Sequence, residues 1–181
     1  MSVNTTAAAL VACIAAAGLV SSSAAAAEAD AAAGNAEIAA LKAEVEQLRG
    51  MLPSQSHAMA DVDYQFANLL FASARHNWPL ATFYRNETRS HIGWTVKLRP
   101  IRKLASGQDL DLRPLQQAIE QSGLTQIRAA LDKHDNKAFE AAYRATMGQC
   151  HACHVASEKP FLLPRIPDSP ATRMIDMQPG R

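Results

Sequence analysis

Residues 139–154, which read FEAAYRATMGQCHACH, decide how this chain folds. Phe139, Tyr143, Met147, Cys150 and His154 are separated by four, four, three and four positions. That spacing places all five side chains on one face of an α-helix. The simplest interpretation of Phe139, Tyr143 and Met147 is that they are core residues. The same face then continues into a cysteine and a histidine, so the sequence predicts a helix that joins a core to a chemical site.

The site on this helix is a Cys-x-x-Cys-His motif formed by Cys150, Cys153 and His154. Cys-x-x-Cys-His is the attachment sequence for c-type haem. Positions i and i+3 of a helix lie on nearly the same face, so both thiols can reach the two vinyl groups of one porphyrin. The histidine then projects under the ring, where its imidazole can bind iron. The motif predicts one covalent haem c, with His154 as the proximal iron ligand.

Other chemistries for the two cysteines fit less well. A structural zinc site needs a second ligand pair at a similar spacing, and a thioredoxin-type motif needs a strand–helix–strand context. A disulfide is possible in an oxidising compartment, but the histidine after Cys153 favours haem. We find no nucleophile pair, phosphate-binding loop or second metal cluster in the sequence, so we do not expect an enzyme.

The N-terminus has the pattern of a secretory signal peptide. An uncharged apolar run over residues 7–20 is followed by small residues as far as Ala27, and then by Glu28 and Asp30. No Lys or Arg precedes the run, and Cys13 ends a stretch that resembles a lipoprotein processing box. Cleavage at that cysteine would leave too short a signal, so we expect residues 1–27 to be removed after Ala27. The run is shorter than the roughly 20 residues of a membrane span. These features predict a bacterial periplasmic protein with no membrane span after processing.

A heptad segment follows, over residues 28–53. Ile38, Leu41, Val45, Leu48 and Leu52 are spaced three, four, three and four positions apart, which is the a/d seam of a coiled coil. Two heptads are few for a coiled coil on its own. The segment can therefore pack on the chain's own helices, or residues 38–52 can join two or three copies of the chain.

Residues 54–158 are predicted to be all-α. Apolar periodicity indicates helices over about 54–76, 79–103, 112–131 and 136–158, with Ser54 and either Asp135 or Asn136 as N-caps. Pro100 should kink or end the second helix, and Gly123 should interrupt the third. No convincing strand alternation is present. We predict an antiparallel four-helix bundle with the haem on its last helix.

The C-terminal segment, residues 159–181, is rich in proline and cannot be helical. Five of the nine prolines lie in it, so we expect an extended or polyproline conformation. Phe161, Leu162, Leu163 and Ile166 are too apolar for a free tail. They are expected to lie over the haem edge or over the bundle.

The overall charge of +1 gives no reason to expect a nucleic acid or an anionic membrane as a partner. The charge is uneven, however. Residues 75–103 contain seven basic side chains against the single acidic Glu87. These basic residues can form a solvated face, and some of them can meet haem propionates or an acidic redox partner.

A helical bundle with Cys150, Cys153 and His154 near its C-terminal end resembles the class II c-type cytochromes, the cytochrome c′ class. The resemblance covers roughly residues 54–158 and implies a helical bundle with an open iron face. The run from Phe71 to Ala81, which includes Asn77-Trp78-Pro79, is also similar to small exported monohaem proteins of bacteria. The heptad segment and the long tail depart from the class II pattern and put the open iron face in question.

The second axial position of the iron decides the chemistry. Methionine or histidine there favours electron transfer, whereas an open apolar face favours the binding of small gases. The candidate distal ligands are Met174, Met177, Met59, His91 and His76. The leading hypothesis is a periplasmic one-electron carrier that serves a redox partner protein. The alternatives are a five-coordinate gas-binding or sensing protein, and a haem subunit that the heptad docks onto a larger redox enzyme.

Overall fold

The computed structural model describes the backbone of residues 6–180 and the side chains of residues 27–180. The chain divides into two compact units, Met1–Leu52 and Pro53–Arg181. The predicted signal peptide lies largely outside the described side chains. None of the described helices combines the length and apolarity that crossing a membrane requires.

The first unit contains one helix, α1, which spans Thr6–Met51. Alanine, the best helix former, dominates its first half, and leucine, glutamate and lysine join it in the second. The helix ends two residues before Pro53, where the sequence predicts a break. The heptad residues Ile38, Leu41, Val45 and Leu48 are each 44–54% exposed.

The second unit is mostly helical, as the sequence predicts. Its helices are α2 (Gln55–Ala74), α3 (Trp78–Leu98), α4 (Arg113–Gln121), α5 (Gly123–Asp132) and α6 (Asn136–Ala156), with a hairpin of β1 (Ile101–Lys103) and β2 (Asp109–Asp111) between α3 and α4. The predicted break near Gly123 separates α4 from α5. The finer description as a four-helix bundle stays a prediction at this point.

The hairpin corrects the expectation of a strand-free chain. The helix α3 ends before Pro100, and Ile101 then pairs with Asp111 in an antiparallel register. Gly107, with φ +88°, provides the left-handed turn residue. Strands of three residues are too short to produce a recognisable alternation of apolar and polar side chains. The second helix therefore ends at Leu98, and β1 occupies residues 101–103, which the sequence assigned to that helix.

The predicted helix starts are confirmed by their side-chain caps. Ser54 Oγ accepts a hydrogen bond from the His57 amide at the start of α2, and Asp135 accepts one from the Ala138 amide at the start of α6. Asn77 caps α3 in the same way, ahead of Pro79 in its first turn. Such caps satisfy amide groups that have no partner within the helix. Three of the turns that set the path of the chain are therefore encoded locally.

The core lies between α2, α3, α5 and the first half of α6. Phe139 and Tyr143 are buried, as predicted, and Met147 is half-buried against them. Phe66 stacks on Tyr143 with 4.2 Å between ring centroids, and the Tyr143 hydroxyl donates to the Phe66 carbonyl at 3.0 Å. Burial raises the pKa of Tyr143, so this hydroxyl remains a donor. The aromatic pair therefore fixes α6 against α2.

One member of the basic run is buried in the fold. Arg85 on α3 donates from Nε and Nη2 to the Leu124 carbonyl on α5, at 3.1 and 3.0 Å. Its surroundings desolvate the guanidinium, and this burial lowers the pKa of Arg85. The interpretation of the basic run as a solvated face is wrong for this residue, which connects two helices.

The segment after α6 is non-helical, and it returns to the helices at a different place from the one expected. Asn68 Oδ1 accepts from the Ala171 and Thr172 amides at 3.0 and 3.2 Å, and Asn77 Nδ2 donates to the Gln178 carbonyl at 2.7 Å. Met177 enters the core. The apolar side chains predicted to cover the protein remain 37–74% exposed: Phe161, Leu162, Leu163 and Ile166. Hydrogen bonds of Asn68 and Asn77 with the tail backbone, together with Met177 in the core, hold the tail against the helices, whereas the apolar run stays exposed.

Candidate haem-attachment site

The two cysteines of the motif lie on the last turns of α6. Both are free thiols and both are half-buried. Burial raises the pKa of the Cys150 thiol to about 11, and the neighbouring Cys153 contributes in the same direction. Burial also raises the pKa of Cys153, although a hydrogen bond from Ser157 and the charge of Arg102 oppose the rise. The pair sits on one helical face, in the arrangement that double attachment to one porphyrin requires.

His154 is held in one orientation by the start of the tail. Its Nδ1 lies 2.6 Å from the Leu162 carbonyl oxygen. A carbonyl oxygen can only accept, so Nδ1 carries the proton and donates, which leaves the lone pair of the neutral ring on Nε2. Histidines that bind metals are commonly held by such a second hydrogen bond. This hydrogen bond therefore leaves Nε2 as the ring nitrogen of His154 that is suited to bind a metal.

The residues after α6 fold back beside the motif. The Lys159 amide donates to the His154 carbonyl at 2.8 Å, and His151 Nε2 lies 3.1 Å from the Pro160 carbonyl oxygen. Glu158 adopts a left-handed φ of 57°, which turns the chain. His151 and His154 thus both contact main-chain oxygens of the tail, and this turn brings the start of the tail's apolar run next to His154.

Exposed apolar side chains follow the motif in the sequence, in the segment whose backbone contacts His151 and His154. Val155, Phe161, Leu162 and Leu163 are all exposed. Exposed apolar residues that lie together commonly mark a surface that binds something. A planar apolar group attached at Cys150 and Cys153 could bury apolar surface against such side chains. The residues present therefore fit a covalently bound porphyrin.

Arg102, on β1, is the charged side chain that the structure adds to the site. It donates from Nη1 to Gln55 Oε1 at 2.5 Å, while its Nε is buried with no hydrogen-bond partner in the described part of the chain. Its positive charge is close enough to Cys153 to oppose the rise in the pKa of that thiol. A buried donor without a partner is costly, so Arg102 is suited to an anionic group. From the sequence, Arg102 was only one of the seven basic residues between positions 75 and 103. Its place at this site depends on the hairpin, which the sequence did not predict.

The candidate distal ligands are dispersed. Met177 is 8% exposed and belongs to the core, whereas Met174 is 94% exposed. His91 lies 3.7 Å from both Asp61 and Glu87. His76 lies against Trp78 and 3.3 Å from Asn136 Nδ2, and Met59 packs partly buried against the core. No cluster of three or more His, Cys, Asp or Glu side chains suited to a metal ion is found among the described residues.

No protein family, curated protein or solved structure matches this chain.

Proposed function

We propose that this chain is a monohaem c-type cytochrome that carries single electrons in the periplasm. The observation that carries the proposal is the geometry at the end of α6. Two free thiols share one helical face there, and the adjacent His154 is oriented by the Leu162 carbonyl with Nε2 available. The apolar run and small residues before Glu28 support export, the condition under which c-type haem is attached.

Each residue of the site has a distinct task in this proposal. Cys150 and Cys153 bond the porphyrin through thioethers, and His154 Nε2 binds the iron. The haem supplies reversible one-electron chemistry. The hydrogen bond from His154 Nδ1 to the Leu162 carbonyl fixes the orientation of the ring and makes Nε2 more basic, and therefore a stronger ligand for the iron. Val155, Phe161 and Leu163 keep water from the ring, and Arg102 pairs with a propionate by a charge-assisted hydrogen bond.

The finer fold belongs to the same proposal. Helices α2, α3, α5 and α6 form an antiparallel four-helix bundle of the kind that class II cytochromes have. Short connections support this arrangement, since three residues join α2 to α3 and three join α5 to α6, and short loops favour antiparallel neighbours. The hairpin and the tail are additions that bring Arg102 and Leu162 to the haem end.

A five-coordinate, gas-binding cytochrome is the second candidate. The observation that favours it is that three candidate distal ligands already contact other groups of the protein. Met177 is buried in the core, His91 lies beside Asp61, and His76 lies beside Asn136. An iron with an open axial position binds carbon monoxide, whereas one ligated on both faces does not do so readily.

Two measurements test these proposals. Haem content after acid-acetone extraction should fall to background in a Cys150→Ala, Cys153→Ala double variant. It should persist in His151→Gln, which changes the motif at a variable position. Retention in the double variant would refute covalent attachment. Absorption spectra of the reduced protein then decide the role, because bands untouched by carbon monoxide support electron transfer and a shift supports gas binding.

A further inference from the structure

The second half of α1 presents an apolar seam along one face of the helix. Ile38, Leu41, Val45 and Leu48 follow one another three and four residues apart, and about half of each side chain is exposed. A stripe of this kind is not expected to stay in water, because burying each such side chain is worth about 1.5–3 kcal/mol. We therefore expect the seam to be covered by another apolar surface.

The residue types along the seam favour one particular occupant. With Ile38 at heptad position a, the a positions hold the β-branched Ile38 and Val45, and the d positions hold Leu41 and Leu48. β-Branched residues at a with leucine at d favour a parallel pair of helices over three or four. The seam is thus suited to a second helix of the same kind.

The charges beside the seam indicate what that second helix is. Glu37 and Glu44 occupy g positions, while Lys42 and Arg49 occupy e positions, and all four are exposed. In a parallel, in-register pair, each g residue faces the e residue five positions further along the other chain. Glu37 then faces Lys42 of the partner subunit, and Glu44 faces Arg49 of the partner subunit.

An antiparallel pair of the same helices would reverse this result. There the g positions face one another, and so do the e positions, which sets glutamate against glutamate and lysine against arginine. Like charges in such positions oppose association. The charge pattern therefore selects the parallel orientation as well as the identical partner.

We propose that residues 37–51 of α1 pair with the same residues of a second copy, as a parallel, in-register, two-stranded coiled coil. The pairing does not depend on haem and makes the protein a dimer with two haem units. Because the seam is only about two heptads long, association is weak and depends on concentration. Arg49 also bonds Glu46 of its own helix at 2.6 Å, an exposed contact that does not compete strongly.

Sedimentation equilibrium of the mature, haem-containing protein over a range of concentrations tests the proposal. We expect a monomer–dimer equilibrium. Glu44→Lys should raise its dissociation constant about tenfold or more, since two attractive contacts per dimer become repulsive. Adding Arg49→Glu to that variant should restore dimerisation. The double variant Ala43→Lys, Gln47→Lys carries the same net charge as Glu44→Lys at positions outside the seam, and it should associate like the natural chain.

An Ile38→Cys variant reports the orientation directly. Position 38 lies at one end of the seam, so the introduced thiols meet only in a parallel pair, where they should form an intersubunit disulfide. A mass that stays monomeric at every concentration, a trimer, or a complex with a different chain in place of self-association would overturn the proposal. So would a dimer that Glu44→Lys leaves unchanged. Haem content, measured on the same samples, reports separately on the proposed cytochrome function.

Discussion

The two halves of α6 share one helical face but differ in what covers it. In the first half, Phe139, Tyr143 and Thr146 are buried against neighbouring helices. In the second half, Cys150, Cys153 and His154 are half-buried, and the apolar side chains beside them stay exposed. The contrast shows that neighbouring helices cover the first half, whereas the second half is covered only in part, which is where the proposed haem would attach. Stability should therefore reside mainly in the first half and chemistry in the second.

The largest effect that separates the halves is expected from Phe139→Ala. Phe139 is one of the largest fully buried side chains and touches Tyr143. Removing such a ring costs about 3–5 kcal/mol in the free energy of unfolding, which urea denaturation followed by circular dichroism would measure. Phe83→Ala, the same change at an exposed ring on α3, should cost no more than about 1 kcal/mol. Equal losses in the two variants would contradict the assignment of the core to the first half.

The next effect concerns thiol chemistry in the second half, in the chain before haem attachment. Burial raises the pKa of Cys150 from 9.0 to about 11. At pH 8 its thiolate fraction should be roughly a hundredfold lower than for a free cysteine, and its alkylation by iodoacetamide should be slower, though by a smaller factor because a more basic thiolate is more nucleophilic. Peptide mapping after timed alkylation measures this rate, and reaction at the rate of free cysteine would disprove the burial.

The same shift makes stability depend on pH in a defined direction. The folded chain holds the Cys150 proton more tightly than the unfolded chain, whose thiol titrates near 9. The associated stability is therefore fully present below pH 9 and is lost as the pH rises towards 11. Denaturation of the haem-free chain across this range should show the loss, and Cys150→Ser should remove much of it.

A smaller effect distinguishes two glycines near the middle of α6, Gly123 on the adjacent α5 and Gly148 on α6 itself. A Cβ added at Gly123, where α5 begins, would overlap Thr146 Oγ1 and Gln149 Oε1 of α6, whereas one added at Gly148 would meet nothing. Gly123→Ala should cost about 1–3 kcal/mol by forcing α5 away from α6. Gly148→Ala should stabilise the helix by about 0.5–1 kcal/mol. Thermal unfolding of both variants would show shifts of opposite sign, and two shifts of the same sign would exclude close packing at Gly123.

Local features of this chain could be predicted because their physical causes lie within a few residues. The apolar face of α6, the caps at Ser54 and Asp135, the end of α3 before Pro100 and the break near Gly123 all depend on near neighbours. The mostly helical character follows from the same periodicities. The Cys-x-x-Cys-His motif is local as well, because its chemistry requires a short spacing, and its role in haem attachment stays a prediction.

Features that depend on distant contacts escaped prediction. Asn68 binds tail amides 103 and 104 positions further along the chain, and no periodicity marks an asparagine for that task. Arg102 acquires its place from a hairpin whose strands are too short to recognise. Phe161 and Leu163 are exposed, although the sequence predicted that they would be covered. Apolar character indicates that a side chain tends to be buried, but it does not identify the surface that buries it.

The hydrogen bond from His154 to the Leu162 carbonyl has a further consequence for how the site is encoded. Its acceptor belongs to the peptide backbone, so no side-chain substitution at position 162 can delete it. In the proposed cytochrome, electron density at the iron would then be set by the path of the main chain between Glu158 and Leu162. If this hydrogen bond tunes the iron, the amino-acid type at position 162 would not reveal that role, because any residue supplies the same carbonyl group.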